Sequence, residues 1–424
     1  VKFNHICIIG LGYIGLPTAS TFATHGVRVT GVDSNPHVID ALKHGQVHIY
    51  EPGLAEVVSA AMQGGFFTVS PAPVEADAFI LAVPTPFYDD KKADLSYVRA
   101  AAESIVPVLR QGNLVVLEST SPPLTTEKVV RPILEKTGLK AGKDFLLAYS
   151  PERVLPGQIM KELIENARVI GGVDRASAEA GRDLYATFVK GQIILTDATT
   201  SEMVKLMENT YRDVNIAIAN EFSRLADRFG VDVWEAIQIA NLHPRVKILN
   251  PGPGVGGHCI SVDPWFFVEA APDLTPLILT ARTVNDGQPE FVLKTVEKHL
   301  GSLNGKKVAV LGLAFKANVD DLRESPAIEV AHLLAKAGAQ VSAYEPYKPD
   351  YAVEHVTMTH SLQEAVKDVE ILILLVGHDE FKKLDPAAVR LLTKATHVLD
   401  TVNGWDLDAW QSAGFDVIKL GKGK

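Results

Sequence analysis

Two cysteines stand in this chain of 424 residues, and the surroundings of one, Cys259, suit covalent chemistry. It follows Gly252, Gly254, Gly256, Gly257 and His258, so a backbone almost bare of side chains can approach a ligand beside the thiol. A thiolate next to an imidazole can add to a carbonyl carbon, whereas Cys7 lies inside the apolar run 6–9 and reads as inert packing. Lys205 and Asn209 are four residues apart on a helical stretch and so share a face, from which both could donate to one developing oxyanion. Glu152, in Ser150-Pro151-Glu152-Arg153, and Asp263, four residues beyond the thiol, are acid/base candidates that spacing alone does not tell apart. Each also has a plainer reading: a buried thiol for Cys259, a solvated helical stripe for Lys205 and Asn209.

A second chemistry begins at Gly10-Leu11-Gly12-Tyr13-Ile14-Gly15, a G-x-G-x-x-G run between an expected strand and an expected helix. Gly10 permits the tight turn, Gly12 lets backbone approach a pyrophosphate, and Gly15 allows close helix–strand packing. The helix N-terminus adds N–H donors and a positive dipole. Asp33, at the end of the next strand, is placed to accept from ribose hydroxyls, and the absence of arginine in Ser34-Asn35-Pro36 favours NAD over NADP. Thr85 and Thr120 close two further apolar runs and read either as helix N-caps or as ligands of the cofactor.

These residues must be carried by a framework, and the hydrophobic pattern supplies it. Apolar runs at 6–9, 27–32, 78–83, 114–117, 145–148, 169–170 and 193–195 alternate with amphipathic helix-length segments, which predicts a parallel, helix-covered sheet. From 199 to 229 one helical stretch runs without proline or internal glycine, and helices continue to about 300. Strand–helix alternation resumes with 308–311, 341–344, 371–375 and 397–399. The two α/β halves resemble copies of each other: Gly10 and Asp33 in the first correspond to Gly312 and Glu345 in the second. The second copy carries extra residues after its first strand, 314–323, among them Lys316 and Arg323. Their charges suit phosphates, and a salt bridge to Asp320 or Asp321 is the alternative, which could coexist with that role.

Composition excludes other classes. With 41 Lys+Arg against 51 Asp+Glu the formal charge is −10, so nucleic acid has no electrostatic footprint to bind and a small-molecule partner is expected. No apolar stretch approaches the ~20 residues that span a bilayer, and no export signal is apparent at the N-terminus, so no membrane association is expected. Neither cysteine sits in a zinc-type spacing, which predicts no metal and a reducing, cytoplasmic setting.

With these motifs in this order the chain resembles the nucleotide-sugar 6-dehydrogenase family, the NAD-dependent enzymes that oxidise UDP-glucose, GDP-mannose or UDP-N-acetylhexosamines to uronates. The resemblance is carried by GLGYIGLP at 10–17, SPER at 150–153, the Lys205/Asn209 pair, PGPGVGGHC at 251–259 with Asp263, and GLAFKANVDDLRESP at 312–326. It implies an α/β fold of two Rossmann-like doubly wound domains joined by a central helical dimerisation region with a long helix. The expected borders are 1–198 for NAD binding, 199–302 for the central region with the catalytic loop, and 303–424 for UDP-sugar binding, in a homodimer. By the same resemblance Cys259 is the nucleophile, Lys205 and Asn209 polarise the oxygen at C6, Asp263 orients lysine or water, and Glu152 with Thr120 serves the water-dependent steps. NAD is expected at Gly10, Gly12, Tyr13, Ile14, Gly15, Asp33, Thr85, Thr120 and Arg323. The sugar nucleotide is expected at Glu152, Arg153, Val154, Lys205, Asn209, Arg245, Leu249, Asn250, Gly252, Gly256, Phe315 and Lys316.

Departures from the glucose-oxidising type refine the substrate. His243-Pro244-Arg245 stands where that type has Arg-Ile-Gly, and Cys259-Ile260-Ser261-Val262-Asp263 where it has Cys-x-Pro-Lys-Asp. With His258 and Trp265 these resemble the branch acting on UDP-N-acetyl-D-mannosamine for surface polysaccharides, with UDP-N-acetylglucosamine or UDP-glucose as alternatives. Val402 occupies a place where the family often has a basic residue. A two-electron dehydrogenase of the β-hydroxyacid type shares the NAD domain, long helix and Lys/Asn pair but needs no Cys259. A non-catalytic sensor of nucleotide sugars would keep only the binding halves.

Overall fold

The computed structural model describes residues 2–423. They form two compact units, one running up to Glu208 together with Trp265–Pro272, the other Asn209–Pro264 together with Asp273 onward.

In the first unit the apolar runs become strands because each side of the sheet is covered. In β1 (His5–Ile9), Ile6 and Ile8 enter one core cluster while Cys7 and Ile9 enter another, the period-2 alternation of a strand buried on both faces. The remaining strands are β2 (Arg28–Val32), β3 (Phe67–Ser70), β4 (Ala78–Leu81), β5 (Leu114–Leu117), β6 (Leu146–Tyr149), β7 (Arg168–Gly172) and β8 (Ile193–Asp197). Their order is β3-β2-β1-β4-β5-β6-β7-β8, so chain direction along the sheet reverses between β1 and β4, the crevice where such sheets bind ligands. The sheet departs from the expected all-parallel arrangement at one place, since β6 and β7 pair antiparallel. The connection from 150 to 167 spends its first half on a loop with Pro151, Pro156 and Gly157. Only the helix Ile159–Glu165 is left, about 10 Å long and too short to carry the chain back along a sheet face, so it re-enters from the opposite end.

The second unit repeats the plan. Strands β9 (Lys307–Leu311), β10 (Gln340–Tyr344), β11 (Val356–Thr359), β12 (Ile371–Leu374), β13 (His397–Asp400) and β14 (Asp416–Lys419) form a parallel sheet in the order β11-β10-β9-β12-β13-β14, the order of the first six strands of the other sheet. Again alternate residues of the first strand part: Val308 and Val310 to one cluster, Ala309 and Leu311 to the other. The edge strands β3, β11 and β14 were not among the expected strands. They carry polar residues such as Thr68, Ser70, Thr357 and Asp416 on half-covered edges, and so lack an apolar run.

The long helix Ala198–Phe229 has the 32 residues that the uninterrupted pattern predicts, to within one residue. In the second unit the helix Pro276–Asp286 docks on it through buried Arg282, which pairs with buried Asp213. Asp232 caps the following helix, Val233–Ala240, and the Trp234 indole donates to the carbonyl of Leu420, which ties the chain's last strand to this region.

Candidate functional site

The glycine turn after β1 is built as its spacing predicts. A Cβ on Gly15 would lie 1.8 Å from the carbonyl oxygen of Gly10, so helix and turn meet too closely for any side chain. Gly12 differs: among the described residues, beyond its own chain neighbours, no atom lies within 4 Å of the place its Cβ would take, and the residue is exposed. The open space over Gly12 and the helix N-terminus at Gly15, which has neither a side-chain cap nor an acid in its first turn, together suit a pyrophosphate. Asp33 accepts from the Leu11 N–H at 2.9 Å through one oxygen and from the Asn35 N–H at 2.8 Å through the other, and remains half-exposed. Its remaining lone pairs fit ribose hydroxyls. Tyr13 and Ile14 are half-buried on the same turn.

Thr85, past the end of β4, has a buried hydroxyl with no hydrogen-bond partner among the described residues. The N-cap reading of Thr85 and Thr120 is not what the structure has: the next helices are capped at Leu95 and Thr125, and both threonines lie in loops at the carboxyl edge of the sheet. These residues fit NAD, with Gly12 and Gly15 at the pyrophosphate, Asp33 at a ribose and Thr85 offering a buried hydroxyl.

Glu152 follows β6 on the same edge. Its carboxylate pairs with Arg168 and accepts from the Arg153 N–H at 2.7 Å. Arg168 is buried and also donates to Glu118 at 3.1 Å and to the Ser150 hydroxyl at 3.0 Å. Glu118 accepts a further bond from the Tyr185 hydroxyl at 3.0 Å. Burial, offset only in part by Arg168, pushes the Glu118 carboxyl up to about 7, because one guanidinium cannot neutralise two buried carboxylates. Glu152 stands at the outer end of this cluster, held there by Arg168. Spacing did not reveal it, although Glu118 directly precedes the Ser119-Thr120 segment already noted. Arg153, expected at the sugar nucleotide, has its guanidinium forked onto Glu208 and bonded to the Ala167 carbonyl. Val154 is half-buried beside it.

On the long helix Lys205 is buried and forms no ion pair among the described residues. In the second unit Asn209 donates its amide to Asp263, which is buried at the start of the helix Asp263–Ala270. The geometry thus gives Asp263 the Asn209 amide as a neighbour. One turn earlier, the Asp263 N–H donates to the Cys259 carbonyl at 2.8 Å, which sets the thiol on a tight turn where it is exposed. Burial, with Arg323 nearby, pushes His258 below its ordinary value, so its ring is neutral at neutral pH. Cys7 is fully buried and its thiol is pushed up to about 11, as inert packing requires.

The loop after β9 packs on the glycine run. The Gly257 N–H donates to the Arg323 carbonyl at 3.1 Å, and a Cβ on Gly257 would lie 2.8 Å from the Phe315 ring. Pro253, Gly254, Phe315, Val376, Lys382 and Val402 line a cavity of about 230 Å³ at the carboxyl ends of β9, β12 and β13. Lys382 is the basic side chain lining it, beside Val402. The salt-bridge reading of Arg323 holds: its guanidinium is paired with Asp321, and its main chain braces the thiol loop. Lys316 is half-buried, its ammonium 5.9 Å from the centre of the Phe315 ring. The Gly252 N–H donates to Asn220 at 2.9 Å, and Leu249 is half-buried. Arg245 and Asn250 are exposed on the loop before the glycine run, away from the cavity lining. Among the described residues no group of three or more His, Cys, Asp or Glu could hold a metal ion, and no helix is long and apolar enough to cross a membrane.

Comparison with known proteins matches three consecutive segments of the chain. Residues 4–189 match the NAD binding domain of the UDP-glucose/GDP-mannose dehydrogenase family, 199–287 its central domain and 309–407 its UDP binding domain. The chain is 48% identical to a UDP-N-acetyl-D-mannosamine dehydrogenase of Methanocaldococcus jannaschii, over 99% of this chain and 97% of that protein. It is also 48% identical to an NDP-N-acetyl-D-galactosaminuronic acid dehydrogenase of Ralstonia nicotianae, over 96% and 97%. The solved structure of the UDP-N-acetyl-D-mannosamine dehydrogenase of Pyrococcus horikoshii superposes with a TM-score of 0.92 at 40% identity, each chain covered to 99%.

Proposed function

This chain belongs to the UDP-glucose/GDP-mannose dehydrogenase family, and from that membership we propose that it oxidises C6 of UDP-N-acetyl-D-mannosamine to the carboxylate. It is an NAD-dependent nucleotide-sugar dehydrogenase; the choice of sugar, the thiol mechanism and the surface-polysaccharide destination are the proposal. The observation that carries the mechanism is the exposed Cys259, held on a tight turn after a run of glycines.

The primary alcohol first loses a proton and a hydride to become an aldehyde. The Cys259 thiolate then adds to the aldehyde carbon, forming a C–S bond and a thiohemiacetal. Loss of a second hydride leaves a thioester. Water adds, the C–S bond breaks, the thiolate departs and the carboxylate remains. Two NAD+ molecules, bound in succession at the Gly10–Gly15 turn, would supply the hydride acceptors, one for each oxidation. Lys205 and Asn209 donate to the oxygen at C6, and Asp263 holds the Asn209 amide in one orientation. Glu152, paired with Arg168, takes the proton of the attacking water, a step that Thr120 also serves. Lys316 serves the diphosphate of the sugar nucleotide and Arg323 that of NAD, and the cavity against Phe315 takes the nucleoside.

Assembly is part of the same reading. Met207, Tyr211, Ile218, Phe222, Leu225 and Phe229 recur at three-, four- and seven-residue intervals along the long helix and are all exposed, an apolar stripe that a second copy of the chain would cover. Only two cysteines and a reactive thiol suit the reducing cytoplasm.

The test is NADH formed per sugar consumed, with UDP-N-acetylmannosamine, UDP-N-acetylglucosamine, UDP-N-acetylgalactosamine and UDP-glucose offered separately. Two per sugar with the mannosamine compound preferred is expected. Preference for another sugar would correct the substrate, and the galactosaminuronic relative makes that epimer the first to compare. One per sugar, or uronate formation that survives Cys259→Ser, would overturn the thioester route.

A further inference from the structure

Beneath the glycine turn of the second sheet lies a pair of groups that the proposed chemistry does not use. Glu345, at the end of β10, and His378, after β12, are both fully buried and face each other, His378 Nε2 at 3.1 Å from a Glu345 oxygen. The other ring nitrogen, Nδ1, accepts from the Asn318 N–H at 2.9 Å. That bond leaves the ring proton on Nε2, directed at the carboxylate. The same Glu345 oxygen accepts the N–H groups of Leu313 at 2.7 Å and Ala314 at 3.0 Å, and the other takes that of Tyr347 at 3.0 Å. Asn318, at a left-handed φ of 61°, accepts from the Asp379 N–H at 3.0 Å and so closes the far end. One acid and one imidazole therefore hold the segment 313–318 at both ends.

What lies between the two clamps gives them a function. Phe315 and Lys316 project from this segment; the Phe315 ring presses on Gly257, and the Phe315 N–H is fixed to the Asp321 carbonyl at 3.0 Å. Ala314, Phe315 and Ala317 also line the 230 Å³ cavity, and Gly257 stands two residues before Cys259. We propose that Glu345 and His378 are positioning residues that couple the nucleotide cavity to the thiol loop, transmitting the placement of the 313–318 segment through Phe315 to Gly257 and Cys259. The proposal rests on the reading that the cavity takes the nucleoside diphosphate and that Cys259 is the nucleophile. A rigid segment shared by the cavity wall and the thiol loop gives nucleotide occupancy a mechanical consequence at the thiol.

The experiment uses the full-length protein and follows alkylation of Cys259 by iodoacetamide, by mass spectrometry, with and without UDP. In the parent UDP should slow alkylation about tenfold or more. In His378→Ala the slowing should fall to about twofold or less, while the KM for the nucleotide sugar rises about tenfold and that for NAD stays unchanged. His378→Gln should restore most of both, because its amide can donate to Glu345 and its carbonyl can accept from Asn318. Should His378→Ala not fold, Asn318→Gly tests the outer clamp: it keeps the backbone donor and the left-handed φ and should lose roughly half the protection. A folded His378→Ala with the parent's UDP protection, or a rise in KM for NAD equal to that for the sugar, would overturn the proposal. Failure of every sugar to yield NADH while UDP still protects the parent's Cys259 would instead sink the functional reading and leave the coupling standing.

Discussion

The two doubly wound sheets share strand order and a glycine turn after the first strand, yet the acid that follows each second strand has opposite surroundings. Asp33 takes two backbone donors and stays half-exposed, whereas Glu345 takes three backbone donors and an imidazole and is fully buried. The first turn leaves lone pairs for a ligand. The second has satisfied its acid internally, and the inserted segment 314–323 lines a cavity instead. Equal topology thus supports a dinucleotide pocket in one half and an internal brace in the other, and only side-chain partners tell them apart.

The largest expected effects come from filling the two turns. Gly10 and Gly312 both have positive φ, 95° and 87°, and in each case a Cβ would meet a neighbour at 2.5 Å. Gly10→Ala should weaken NAD binding by roughly 10–100-fold and spare UDP, and Gly312→Ala should do the reverse, read by calorimetric titration. If both substitutions weaken the same ligand, the division of labour fails.

Next come the acids themselves. Glu345→Gln faces an amide toward buried N–H donors and should cost about 1–3 kcal/mol in denaturant unfolding, while Asp33→Asn should cost less than about 1 kcal/mol yet reduce NAD affinity about tenfold. Equal stability losses would erase the contrast.

The buried acids of the two halves also respond oppositely to pH. Glu118 is raised from 4.5 to about 7 by burial, so the unfolded chain releases that proton at lower pH than the folded one. Its linkage makes stability fall as pH rises between those values, and Glu118→Gln should flatten a melting-temperature profile between pH 5 and 7. Glu345 is held below its ordinary value: burial pushes it up, but the bonds from His378 and the backbone donors outweigh that. Its contribution is present above 4.5 and lost as pH falls through the folded value, so Glu345→Gln should leave the pH 5–7 slope alone. The smallest effect should come from Lys382→Ala, which removes the basic group beside Val402 and should weaken UDP roughly threefold with NAD unchanged.

Much of this was legible in the residue order. The runs 6–9 and 308–311 alternate between two buried faces, and that pattern needs no tertiary information to read as central strands. The turn at Gly10–Gly15 with Asp33, and the glycine run before Cys259, were likewise visible, because the backbone demands on glycine are local. What was hidden depends on contacts far apart in sequence. Arg168 reaches Glu118 across 50 residues and Glu152 across 16, and Glu345 meets His378 across 33. The antiparallel turn into β7 followed from how little helix the loop after Glu152 leaves, a balance of lengths that apolar periodicity does not register.

The difference between Gly12 and Gly15 bears on how loss of function would be written in descendants of this chain. At Gly15 the fold itself forbids a side chain, so that glycine would persist under selection for folding alone. At Gly12 the protein makes no such demand, and only a closely approaching ligand does. A lineage that had abandoned the dinucleotide would therefore drift first at position 12 while retaining 10 and 15, and its glycine pattern would record the abandonment before any catalytic residue had changed.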